Sequence, residues 1–255
     1  MPQRPHSPRK SPPRAPSQRR WDAMSAAERR RVVDALPGEV TDAEMSPPEG
    51  DRHFQAKVRA LDALQGHFRR LKRRVYLAAE LPVYFPGERR FATDLLAVFD
   101  VEDRERDKYV VSAEGKGLDV VFEVHVGGDR KKDAEVNVER YARLGVPEYF
   151  IYDRGAQKLF GYRLPKADAR RYVPVLPQQR RFESRVLGLE LSIEDGRLRF
   201  FMGNALVFES AELIVRLEQE MAAIEARADD EARQRVSAEA AAEAARAQLL
   251  VERAL

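Results

Sequence analysis

A mixed α/β domain of sheet and flanking helices, with a disordered tail before it and a long helix after it, is the architecture this sequence predicts. Three observations predict it. Residues 117–153, GLDVVFEVHVGGDRKKDAEVNVERYARLGVPEYFIYD, run as strand, glycine loop, helix and strand. Residues 1–20 combine six prolines with six basic residues and no acid. Residues 210–255 contain neither Gly nor Pro and are dominated by Ala, Glu, Arg and Leu.

The central stretch carries the most information. Over residues 118–126 a period of two sends Leu118, Val120, Phe122, Val124 and Val126 to one face and Asp119, Val121, Glu123 and His125 to the other. Gly127 and Gly128 end the strand. From Asp133 the apolar residues Ala134, Val138 and Tyr141 keep a helical spacing that stops at Gly145, with Pro147 beyond it. Residues 146–153 read as a second strand. Two strands joined through such a helix form a βαβ unit, parallel, with one sheet face covered. Glu123 and His125 are therefore expected to be shielded from water. Their stripe is either the solvent face of a half-buried antiparallel strand, or a carboxylate and a polar neighbour at a strand end, the geometry of a small metal site.

The rest follows in order. The tail, residues 1–20, cannot bury enough apolar area to offset its ordering entropy and is predicted disordered. Ser25 and Glu28 form a capping box ahead of a helix ending near Leu36. Apolar residues at Phe54, Val58, Leu61, Leu64, Phe68, Leu71 and Val75 predict an amphipathic helix over 51–79, with Lys57, Arg59, Arg69, Arg70, Lys72, Arg73 and Arg74 on a solvated outer face. Residues 91–101 read as a strand interrupted by Asp94, an acid that must be exposed, paired or metal-bound. After the central unit, residues 158–164, 171–176, 180–186 and 197–202 read as short antiparallel additions to the sheet. Leu213, Leu217, Met221, Ile224 and Ala228 fit a coiled-coil seam that fades into alanines. The domain is placed at 21–205 and the long helix at 210–255.

Composition narrows the function classes. The chain has no cysteine, so disulfides and thiolate metal ligands are absent, and His6, His53, His67 and His125 offer no zinc-ligand spacing. No apolar run is long enough to span a membrane, no signal peptide is visible, and a cytoplasmic location is expected. The net charge is +3, less than the basic excess of residues 1–20 alone, so the remainder is net acidic and is no general nucleic-acid-binding surface.

The order ATD at 92–94, VFEV at 121–124, D-x-x-x-N-x-x-x-Y at 133–141 and GVPEYFIYD at 145–153 resembles the Uma2-type (DUF820) restriction-endonuclease family of the PD-(D/E)xK nuclease-like superfamily. The resemblance covers about residues 25–205 and implies a restriction-endonuclease-like mixed sheet. It also implies a Mg²⁺ or Mn²⁺ site held by Asp94 and Glu123, in an endonuclease acting on DNA. Two family positions differ. Thr93 stands where proline is usual, and His125 stands at the lysine of (D/E)xK. Many relatives instead carry a lysine at what would be position 137, here Asn137, with Lys131 and Lys132 nearby. The cation that the chemistry expects is then His125, one of these lysines, or missing. Asp94, Glu123, His125, Lys132 and Asn137 form the candidate site. A catalytically impaired nuclease fold, serving binding or self-assembly through the C-terminal helix, is the alternative, and a plain nucleic-acid-binding module is a third.

Overall fold

The computed structural model describes residues 13–39, 50–127 and 132–253, the side chains of residues 132, 133 and 248–253 excepted. The chain divides into two units, 1–207 and 208–255.

In the first unit, helices α1 (Gln18–Asp22), α2 (Ala26–Ala35) and α3 (Asp51–Arg70) lead into strands β1 (Val75–Ala78), β2 (Pro82–Tyr84), β3 (Phe91–Ala92), β4 (Leu95–Phe99) and β5 (Tyr109–Val110). Helix α4 (Val111–Glu114) precedes β6 (Val120–His125), and a π-helical turn (Lys132–Asn137) opens directly into α5 (Val138–Leu144). Strands β7 (Glu148–Asp153), β8 (Lys158–Arg163), β9 (Val173–Pro174), β10 (Phe182–Ser184), β11 (Leu189–Glu194), β12 (Arg197–Met202) and β13 (Ala205–Val207) complete it. The second unit is helix α6 (Ser210–Arg253).

The main sheet has the order β1-β4-β6-β7-β8-β9. Strands β6 and β7 run parallel and every other neighbour is antiparallel. The βαβ unit is thus the mixed sheet's one parallel pair. Both faces are covered: Leu95, Ala97, Val120, Phe122 and Val124 pack with Ala60, Leu64 and Phe68 of α3, while Leu96, Val98 and Val121 pack with Tyr141 of α5 and Tyr149. Burying both faces removes more apolar area from water than a one-sided sheet could.

Four departures from the sequence expectations have physical causes. Helix α3 stops at Arg70, because Lys72 adopts φ 52 and turns the chain, so Val75 begins a strand rather than continuing the helix. Residues 91–101 are two strands, broken at Thr93 and Asp94. Strand β10 does not extend the main sheet. It belongs with β11, β12 and β13 to a separate antiparallel sheet, and β11 is closed onto β12 by Asp195 and Gly196, both at positive φ, the Asp-Gly signature of a tight hairpin.

The fourth is the tail. Residues 1–12 lie outside the described residues, but from Pro13 onward the chain packs on the domain. Arg90 N–H donates to the Pro13 carbonyl at 3.2 Å, Gly87 N–H to that of Ala15 at 3.2 Å, and Ala15 joins Leu36, Tyr84 and Val110 in a small apolar cluster. Ser17 caps α1, and Trp21 is 4% exposed with the Arg29 guanidinium 5.6 Å from its ring centroid. Proline density forecasts disorder, yet prolines need no donor partners, and backbone bonds to the 86–90 loop with two buried side chains hold the segment. The Ser25–Glu28 capping box is formed, with Ser25 N–H donating to Glu28 at 2.8 Å.

Truncating Trp21 should therefore matter. Trp21→Ala is expected to destabilise the domain by about 3 kcal/mol, the usual cost of emptying a buried aromatic site, read as a lower urea midpoint by circular dichroism. An unchanged midpoint would mean that the packed N-terminal segment contributes nothing to the fold.

Candidate active site

The site begins where β4 fails to start on time. In the antiparallel register that pairs Leu95 with Phe122, the next positions along would set Asp94 against Glu123 and Thr93 against Val124. The main chain peels away instead, and the Thr93 carbonyl accepts the Glu80 N–H at 2.9 Å. The Val124 N–H that this leaves is taken by the Asp94 side chain, Oδ2 accepting at 2.7 Å. A carboxylate thus stands in for a ladder carbonyl. Thr93, 2% exposed, has no hydrogen-bond partner for its hydroxyl among the described residues.

Glu123 meets the same break from β6. Its Oε2 accepts the Asp94 N–H at 3.3 Å and its Oε1 accepts the Tyr141 hydroxyl of α5 at 2.8 Å. The Asp94 main chain thus joins the two acidic residues, whose side chains are tied to different layers: Glu123 to α5, Asp94 to α3. His125, 3% exposed, lies two residues along β6 and opposite Asp153 in the parallel register. Glu123, His125 and Asp153 are all buried, in keeping with a shielded polar stripe.

Helix α3 supplies two residues that the sequence reading left out of the candidate site. Its buried stripe is His53, Lys57, Ala60, Leu64, His67 and Phe68, whereas Phe54 is 58% and Val58 42% exposed. The helix is rotated by about one residue from its apolar periodicity over the first two turns. The cause is polar: His53 Nε2 lies 3.1 Å from Asp94 Oδ2, and Lys57 Nζ lies 3.7 Å from Asp94 Oδ1 and pairs with Glu80. Lys57, expected on a solvated face, is 5% exposed. The spacing of His53 and Lys57, one turn apart on the side of Ala60 and Leu64, was the available signal.

Asn137 is 2% exposed at the junction of the π-turn with α5. An i→i+5 pattern stacks residues five apart, so the backbone of Lys132 lies one wide turn from Asn137, nearer in phase than an α-helix would place it. Lys131 and the side chain of Lys132 lie outside the described residues.

Electrostatically the cluster is acidic. Burial pushes the Asp94 carboxyl up, but the bond from His53, the Val124 amide and the Lys57 charge outweigh it and hold the group below its ordinary 3.8. Among the described residues Lys57 lies against the carboxylates of Glu80 and Asp94. Among the described residues no three imidazole or carboxylate groups converge on a common point. The donor set is two carboxylates, Asp94 and Glu123, on residues joined by the Asp94 main-chain N–H. That fits an ion of the Mg²⁺ type, which keeps several waters and takes further oxygens from a phosphate, and does not fit a closed protein cage.

The family follows from the sequence that builds this arrangement. The profile described as "Uma2: Putative restriction endonuclease" matches residues 24–194, well over half of the chain. The chain belongs to the Uma2 family. The match spans α2 through β11 and includes Asp94, Glu123, His125, Lys132 and Asn137. No curated protein sequence matches. Among solved structures, a protein from Anabaena variabilis described as "a putative nuclease belonging to DUF820" is similar over 59% of this chain and 82% of its own, at 15% identity and a TM-score of 0.46.

The lowered Asp94 carboxyl sets an acid limit on stability. Its folded value lies below that of the unfolded chain, so its contribution is complete above about pH 4 and is lost as pH falls through the folded value. In chelator, the stability gap between wild type and Asp94→Asn is expected to be flat above about pH 5 and to shrink below pH 4. Denaturant titrations across that range measure it; a gap that widens on acidification would contradict the sign.

Proposed function

We propose that this Uma2 protein is a divalent-metal-dependent endonuclease hydrolysing phosphodiester bonds in DNA. The observation that supports the proposal is the hydrogen bond from the Asp94 main-chain N–H to the Glu123 carboxylate at the strand break, which makes the two acids neighbours within the segment that matches the family. In this reading the two carboxylates hold Mg²⁺ or Mn²⁺, which when bound polarises the phosphate and makes water more acidic.

The chain's own groups do the rest. Tyr141 fixes Glu123 through Oε1, the Val124 amide and His53 fix Asp94 through Oδ2, and both carboxylates are thereby aimed before any substrate arrives. His125, Asn137 and Lys132 are assigned to the border of the scissile phosphate. The burial of His125 and Asn137 limits water at that border. Among the described residues no helix is long and apolar enough to cross a membrane. Helix α6 exposes Leu217, Met221 and Ile224 at 49%, 60% and 64%, a seam assigned here to pairing with a second copy of the chain.

One observation favours the alternative of a catalytically impaired nuclease fold: His125 and Asn137 occupy both positions where the family motif carries lysine.

Plasmid cleavage decides between them. Wild type with Mg²⁺ or Mn²⁺ is expected to nick or linearise supercoiled DNA, chelator to abolish the activity, and Asp94→Ala or Glu123→Ala to lower it at least about 100-fold, the scale of several kcal/mol of lost metal catalysis. Wild type inert on supercoiled, linear and single-stranded DNA would move the assignment to the impaired fold.

A further inference from the structure

We infer that Lys57 of α3 supplies a cation to this site, contacting a non-bridging oxygen of the scissile phosphate where positions 125 and 137 carry no lysine. The inference rests on the nuclease assignment and adds to it a catalytic residue from a different element of the fold.

A lysine is rarely buried unless something requires it. Lys57 is 5% exposed, and its ammonium sits 3.7 Å from Asp94 Oδ1. That separation exceeds a hydrogen bond, so Asp94 alone does not explain the placement. The direct partner is Glu80, whose side chain is 50% exposed. Glu80 itself stands at φ 54, a left-handed conformation uncommon outside glycine, held by its N–H on the Thr93 carbonyl. The ammonium is therefore parked beside the proposed ion ligand by a carboxylate at the solvent edge. A four-carbon stem and a solvent-facing counter-ion allow it to turn from Glu80 toward an arriving phosphate without uncovering a buried charge.

In the reaction the oxygen of water bonds to phosphorus as one bridging P–O bond breaks, and one water proton ends on the departing oxygen. Lys57 keeps its protons throughout. It acts as a fixed positive charge on the oxygen where negative charge accumulates. His53, bonded to Asp94 from the preceding turn, is a positioning residue in the same scheme.

The test compares full-length wild type, Lys57→Met, Lys57→Arg and Lys57→Cys for plasmid cleavage, for Mn²⁺ binding by calorimetry without DNA, and for melting temperature. Lys57→Met is expected to lose about 100-fold or more in cleavage while keeping the fold and binding Mn²⁺ at least as tightly, since an ammonium beside Asp94 has been removed. Lys57→Arg should retain part of the activity. Because the chain has no cysteine, Lys57→Cys carries a single thiol. Alkylation with 2-bromoethylamine in urea, followed by refolding, rebuilds an ammonium of near-native length and should restore cleavage.

Three outcomes overturn the inference. Cleavage by Lys57→Met within a few-fold of wild type would leave the nuclease assignment standing and remove Lys57 from it. Loss of Mn²⁺ binding in Lys57→Met as complete as in Asp94→Ala would make the lysine a prop for Asp94 only. A wild type inert with every ion and substrate would remove the nuclease assignment and the role of Lys57 together.

Discussion

The bond from the Val124 amide to the Asp94 carboxylate is the constraint on which the rest of the site depends. A sheet interior leaves no amide unpaired without a cost of about 1 to 3 kcal/mol. When the chain at Thr93 and Asp94 leaves the ladder, something must accept from Val124, and only a side chain is left to do it. Once Asp94 does so, its second oxygen is directed at α3, and its own N–H is directed at Glu123. One satisfied amide therefore fixes an acid, orients a second acid, and sets which residues of a helix can face the strand break.

That helix shows how a single stripe serves two purposes. Along the buried side of α3, His53 and Lys57 come first, then Ala60, Ala63 and Leu64, then Phe68. The alanines let the helix axis approach the sheet closely, and Phe68 packs edge-on against Phe99 at ring centroids of 5.2 Å. The far end supplies apolar burial, which holds the near end in place, and the near end spends that rigidity on charged groups that could not be buried on a looser element.

The central unit was legible because both its strands lie in the middle of the sheet, where neighbours cover each face and the period of two reports the fold directly. Glu123, His125 and Asp94 stood out for the same reason: each is an ionisable residue in an otherwise apolar run. Lys57 was hidden because its partners, Glu80 and Asp94, come from bends between later strands, and a helical count of apolar residues assigns every lysine to the outside. The rotation of α3 escaped for that reason too. Phe54 and Val58 carry the apolar signal and are exposed, whereas two polar residues hold the inward face. The packed segment from Pro13 to Trp21 was obscured by its prolines, since composition measures how much area a segment can bury by itself and Trp21 buries its ring against a helix that follows it.

The π-turn ahead of α5 has a consequence for counting residues along it. A turn closed by i→i+5 bonds holds one residue more than its α-helical counterpart, and residues 132–137 are such a turn. A ruler laid along the chain in steps of an unbroken α-helix therefore arrives one place away from the residue that shares Asn137's side of the helix.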